Sequence, residues 1–147
     1  MNPEEFLTNR KQRLNNEKVE ILKVLMSIKP EFVAEIDKGN KKFEYRKSIF
    51  KRQDISSVIV YATKPYGKVV GEFEIETIIK DKPSNIWKET KNQSGITKQF
   101  FNEYFQDREV GFAIQIKEYI KYDTPMDLDC LDGSIKAAPQ SFCYIND

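Results

Sequence analysis

The sequence predicts one α+β domain built on a curved or closed sheet of about five to six mostly antiparallel strands, with short helices inserted between strands. Apolar residues recur with period two in several runs and with helical spacing in the segments between them, so strands and helices interleave along the chain. Pro30, Gly39, Pro65, Gly67, Pro83 and Gly95 punctuate those runs where turns and caps belong. The length of 147 residues suits a single hydrophobic core, and no repeat, low-complexity segment or long linker divides it.

The elements follow in order. Asn2 is a candidate N-cap, Pro3 occupies the first helical position and Glu4 and Glu5 follow, so residues 3–16 read as a charged helix. Its thin apolar stripe, Phe6, Leu7 and Leu14, places it outside the main body, giving an extension over 1–20 and a domain over 21–147. "EILKVLMSI" (20–28) is a buried strand ending at Pro30. "PEFVAEIDKG" is a short helix with Phe32, Val33 and Ile36 inward and Gly39 as its left-handed cap. In "KFEYRK" Phe43 and Tyr45 alternate with Lys42, Glu44 and Arg46, a strand with one charged face.

"SVIVYATK" (57–64) is a central strand, and "KPYGK" turns it into "KVVGEFEIETII". There Val69, Phe73, Ile75, Thr77 and Ile79 are expected on one face and Glu72, Glu74 and Glu76 on a solvated one. Pro83 opens a helix around Ile86 and Trp87, and another follows Gly95, with Ile96, Phe100, Phe101 and Tyr104 at core spacing. "EVGFAIQIKEY" alternates Val110, Phe112, Ile114 and Ile116 as the last clear strand, and a loop-rich tail is expected from Asp123 onward.

Composition excludes several chemistries. Histidine is absent, which removes Ser-His-Asp and Cys-His catalysis and the commonest general base near neutral pH. Cys130 and Cys143 lack metal-site spacing and suit free thiols, and there is no Gly-rich phosphate loop, so neither metal nor cofactor is expected. No apolar run approaches the roughly 20 residues of a membrane span, and the N-terminus lacks a signal-peptide pattern, so a cytoplasmic location with no membrane partner is expected. The net charge is only +1, yet Lys38, Lys41, Lys42, Arg46, Lys47, Lys51 and Arg52 face a single acid, Glu44, within fifteen residues. Such polarity points to an anionic partner or to a solvated basic face.

Taken in sequence, "SIKP" (27–30), a short helix, "GNKKFEYR" (39–46), "VIVYATKP" (58–65), "VVGEFEI" (69–75), "GFAIQI" (111–116) and "PQSF" (139–142) resemble the activating signal cointegrator homology (ASCH) domain, over about residues 22–145. The most specific part is the spacing of Gly39, Lys41, Glu44 and Arg46. The resemblance implies a β-barrel similar to the PUA domain and a charged cleft beside it that takes single-stranded RNA or a nucleotide-like ligand. Carried over, the ligand-binding candidates are Lys29, Lys41, Glu44, Arg46, Tyr61, Lys64, Gln140 and Ser141. Lys and Arg would take phosphate oxygens and Tyr61 would stack a base.

Without the resemblance, Glu44 and Arg46 read as a solvated strand face, Tyr61 as core, and Trp87 with Phe100, Phe101 and Tyr104 as packing. An enzyme is the rival class. Family amidohydrolases acting on a modified nucleoside resemble this chain at Lys41 but carry a threonine nucleophile where Glu44 stands, which disfavours that activity. A metal-independent ribonuclease using Lys41, Tyr61 and Ser141 is the other catalytic alternative. A regulatory module docking a protein partner through the N-terminal helix is the third.

Overall fold

The structure is a computed structural model, and it describes residues 22–131, 133 and 135–145. The helix expected over 3–16, with Phe6, Leu7 and Leu14, lies outside the described residues. Six strands, β1 (Leu22–Ile28), β2 (Phe43–Arg46), β3 (Ile55–Ala62), β4 (Lys68–Asp81), β5 (Gly111–Met126) and β6 (Phe142–Ile145), form one sheet in the order β2-β5-β4-β3-β1-β6. Helix α1 (Pro30–Lys38) follows β1. Helices α2 (Pro83–Thr90) and α3 (Lys98–Tyr104) sit between β4 and β5, and the single turn α4 (Leu128–Leu131) follows β5.

Local chemistry explains the helix ends. Pro30 and Pro83 fill first-turn positions where no N–H is needed, and Gly39, at φ +84°, caps α1 with its N–H on the Ile36 carbonyl. The Thr97 hydroxyl accepts the Phe100 N–H at 3.1 Å and starts α3.

Among the described strands, only β1 and β3 run parallel; the pairs β1/β6, β2/β5, β3/β4 and β4/β5 are antiparallel. The sheet is mixed and it is not a closed barrel, because β2 and β6 end the strand order with no ladder between them. It is curved instead. Register shifts at Val60/Tyr61, Val69/Gly71, Glu74/Ile75 and Ile75/Thr77 mark bulges that bend β3 and β4. The bend carries the end of β2 to the end of β1, where Arg46 Nη2 donates to the Ser27 carbonyl at 2.7 Å. A side chain spans the gap that a ladder would fill in a barrel.

The bulges also rearrange the faces expected of β4. Phe73, Ile75 and Ile78 pack with Val24, Met26, Val58 and Val60 in the main core, whereas Val69 joins Leu25, Ile59, Tyr61 and Tyr122 in a second cluster. Glu72 is not solvated: it is fully buried and pairs with buried Lys23 at 2.8 Å, across the intervening β3. A third cluster, built from Phe43, Tyr45, Ile86, Phe101 and Phe105, seats α2 and α3 on the β2/β5 end. The tail expected as loop from Asp123 holds more order than its polar composition signals: β5 continues to Met126, and residues 142–145 pair with β1. Cys130 is an exposed thiol, and Cys143 lies half-buried in β6. No helix among the described residues is long and apolar enough to cross a membrane.

Because Glu72 and Lys23 are buried together, Lys23→Met should cost about 3–5 kcal/mol by leaving the carboxylate without its cation. Lys23→Met with Glu72→Leu should recover most of that loss, as urea denaturation of the three proteins would show.

Candidate functional site

The shape of β2 begins in α1. After the Gly39 cap, the Asn40 and Lys41 amides both bond the Glu35 carbonyl, turning the chain sharply into the strand. Residues 43–46 then alternate. Phe43 and Tyr45 enter the third cluster, while Glu44 and Arg46 join Lys41 at a cavity of about 230 Å³ bounded by β1, α1, β2 and α3.

The floor of this cavity is ionic, though nearly dry: Lys41, Glu44 and Arg46 are 2%, 5% and 8% exposed. Arg46 places both Nε (3.0 Å) and Nη2 (2.8 Å) on Glu44 Oε2, leaving Oε1 facing Lys41 Nζ at 3.8 Å. Lys41 Nζ also donates to the Ser94 carbonyl at 3.3 Å and stands over the rings of Tyr45 (4.6 Å) and Phe32 (5.3 Å). Burial pulls the Lys41 pKa down to about 8, against the opposing pull of Glu44. Gly95, at φ +66°, packs so closely on Lys41 that an added Cβ would lie 2.4 Å from the lysine Cβ.

Tyr45 is a fixed donor. Thr90 Oγ1 donates to the Ile86 carbonyl at 2.8 Å, so the Tyr45 hydroxyl gives its own proton to Thr90 Oγ1 at 2.7 Å. Burial raises the Tyr45 pKa to about 12, and the phenol stays neutral at physiological pH.

The wall is aromatic. Phe32 meets Phe100 edge-on at 5.1 Å, and Phe100 stacks nearly parallel to Tyr104, 6.3 Å apart at 10°. Lys29 Nζ lies 5.1 Å from the Phe100 ring and Lys47 Nζ 4.9 Å from the Tyr104 ring, both at the exposed rim. The Tyr104 hydroxyl accepts the Lys47 N–H at 3.2 Å, and burial raises its pKa. Ion-paired floor, flat rings and cationic rim together make a receptacle for a planar group that carries an anion.

Among the residues singled out in the sequence, Lys29, Lys41, Glu44 and Arg46 line this cavity. Ser141 sits beside it: its carbonyl takes the Ser27 N–H at 3.2 Å, and its hydroxyl is 3.4 Å from Arg46 Nη1. Tyr61 does not line it, being buried with Leu25 and Tyr122 in the second cluster. Lys64 lies exposed in the β3–β4 turn and Gln140 exposed in the tail, neither lining the cavity. The structure adds Phe32, Phe100 and Tyr104 to the lining. Their signal was the four-residue spacing of Phe100 and Tyr104, which packing against a core and lining a cavity share.

Residues 26–121, which include the cavity lining, match the ASCH domain family. A large ribosomal subunit protein uL22 of Ureaplasma parvum is 34% identical over 88 residues, 60% of this chain but 28% of that protein, so the chain spans less than a third of that relative. An ASCH domain-containing ribonuclease of Zymomonas mobilis is 27% identical over 124 residues, 82% of each chain. The solved structure of ASCH from Zymomonas mobilis superposes with a TM-score of 0.76 at 25% identity, covering 84% of this chain and 87% of that one.

Arg46 joins three groups, so its replacement separates charge from geometry. Arg46→Ala should destabilise the domain by about 3–5 kcal/mol, since Glu44 loses its closest cation. Arg46→Lys should recover part of this but not all, because an ammonium cannot reproduce the fork onto Glu44 and reach Ser27 as well. Chemical denaturation of the two variants checks both.

Proposed function

The chain belongs to the ASCH domain family, and we propose that it binds single-stranded RNA by taking one unpaired nucleotide into the aromatic-walled cavity. One observation carries this reading: a buried Lys41–Glu44–Arg46 floor faces the stacked Phe100 and Tyr104 rings across a space of about 230 Å³. That space admits a single base and excludes a duplex. Stacking against the rings supplies sequence-tolerant affinity, and Lys29 and Lys47 at the rim take the flanking phosphates. Glu44 Oε1, held away from Arg46, accepts from an exocyclic amine or a ribose hydroxyl.

Cleavage is the second reading, favoured by the name of the Zymomonas mobilis relative and by the lowered pKa of Lys41. A neutral Lys41 amine would remove the ribose 2′-hydroxyl proton, and the 2′-oxygen would attack the adjacent phosphorus. The bond to the 5′-oxygen then breaks, that oxygen takes up a proton, and a 2′,3′-cyclic phosphate and a 5′-hydroxyl result. Deacetylation of a modified nucleoside is disfavoured here, since the Glu44 carboxylate is occupied by Arg46 and offers no hydroxyl for acyl transfer.

Opposite pH dependences separate binding from cleavage. Contact with an anion needs charged Lys41, whose protonated fraction falls from about nine-tenths at pH 7 to about one-tenth at pH 9 given a pKa of about 8, so affinity should fall about tenfold over that range. Cleavage through the neutral amine should instead quicken as pH rises toward 8. Filter retention and gel analysis of labelled single-stranded RNA with chelator present measure both, with Lys41→Met expected to flatten either profile. Phe100→Ala should weaken retention by about 1–3 kcal/mol, and retention unchanged by this substitution would count against the cavity.

A further inference from the structure

On the other side of α3 lies a groove of about 950 Å³ between α2 and α3. Phe100 and Tyr104 turn toward the cavity already described, whereas Phe101 and Phe105, one residue on, line this groove. Its cations are Lys82, Lys88, Lys91, Lys98 and Arg108, all exposed, and Glu109 is the single acid in its lining. Within the described structure none of the four lysines pairs with a carboxylate, unlike the exposed Arg52–Asp54 and Lys68–Asp127 pairs elsewhere. Trp87, half-buried, rests on Phe101 with ring centroids 4.9 Å apart and forms part of the same surface.

The two sites are joined. Lys47, whose ammonium lies over the Tyr104 ring at the cavity rim, gives its carbonyl to Arg108 Nη2 at 3.1 Å, and Arg108 lines the groove. Lys47 and Arg108 therefore carry positive charge from the cavity rim to the groove around the C-terminal end of α3, a helix only about 10 Å across. We propose that the α2–α3 groove is a second RNA subsite, in which the strand leaving the cavity lays its phosphates along Lys88, Lys91 and Lys98 and stacks a base on Trp87. Unpaired cations beside an aromatic ring are the elements by which single strands are held without sequence preference. The inference rests on the RNA-binding reading of the cavity and extends it from one nucleotide to a path.

Trp87 is the one tryptophan of the chain, so its fluorescence reports the groove directly. The experiment titrates the full-length protein, the triple variant Lys88→Ala/Lys91→Ala/Lys98→Ala, and Phe100→Ala with a dinucleotide and with an oligoribonucleotide of about twelve residues. The groove predicts that the long oligomer quenches Trp87 and binds the triple variant at least about tenfold more weakly. The salt slope should fall by about 2, at about 0.7 for each phosphate that the three lysines neutralise. Dinucleotide binding should be unchanged in the triple variant and reduced by Phe100→Ala. Equal affinity of the triple variant and the unaltered protein for the long oligomer, without quenching, overturns the groove and leaves the cavity standing. Quenching that depends on the lysines but not on Phe100 keeps the groove and overturns the cavity. A poly-glutamate peptide that quenches as strongly as RNA assigns the groove to acidic protein and overturns the proposal.

Discussion

The Arg46 guanidinium, oriented by Glu44 on its own strand, holds the end of edge strand β2 against the end of β1 through the Ser27 carbonyl and against the tail before β6 through the Ser141 hydroxyl. The rest of the site depends on it. A four-residue strand has little ladder to fix its position, and β2 pairs with β5 alone. Curvature from the β4 bulges brings the two edges near each other, and the charge-assisted bonds of Arg46 set their separation. That separation is the mouth of the cavity. On the proposed reading, stability and RNA binding draw on the same buried ions, and a change that relaxes one alters the other.

Burying three ions side by side is costly unless each meets an opposite charge or a donor. Glu44 divides its two oxygens between Arg46 and Lys41, and Ser94 offers a carbonyl to the lysine. The trio keeps one excess positive charge in a dry pocket, a poor arrangement for an isolated fold and a favourable one for an incoming anion. Helix α3 completes the design through adjacent ring pairs on two faces: Phe101 and Phe105 anchor it to the domain, and Phe100 and Tyr104 are left to the cavity.

Periodicity and punctuation made the order of elements legible, because Pro30, Gly39, Pro83 and Gly95 act locally and need no tertiary partner. Closure of the sheet was not legible, since it depends on bulges whose positions are settled by cross-strand packing. Glu72 escaped for another reason: it keeps the face opposite Phe73 that a two-residue period gives it, but the second cluster covers that face and buries the carboxylate against Lys23. The convergence of Lys29, Lys41, Glu44 and Arg46 came from the family resemblance rather than from any pattern of charge. Aromatic residues were the hardest to place. Tyr61 in a central strand and Phe100 in a helix carry equal stacking capacity, and only the third dimension decides which one meets open space.

A nuclear magnetic resonance titration of the protein with a short single-stranded RNA, following the aromatic ring signals, shows directly whether a base enters the cavity. A base seated in the cavity should shift the rings of Phe32, Phe100 and Tyr104 together along one saturating curve, while those of Tyr61 and Tyr122, buried in the second cluster, stay in place. Saturable binding that leaves the three cavity rings unmoved would contradict that placement of the base.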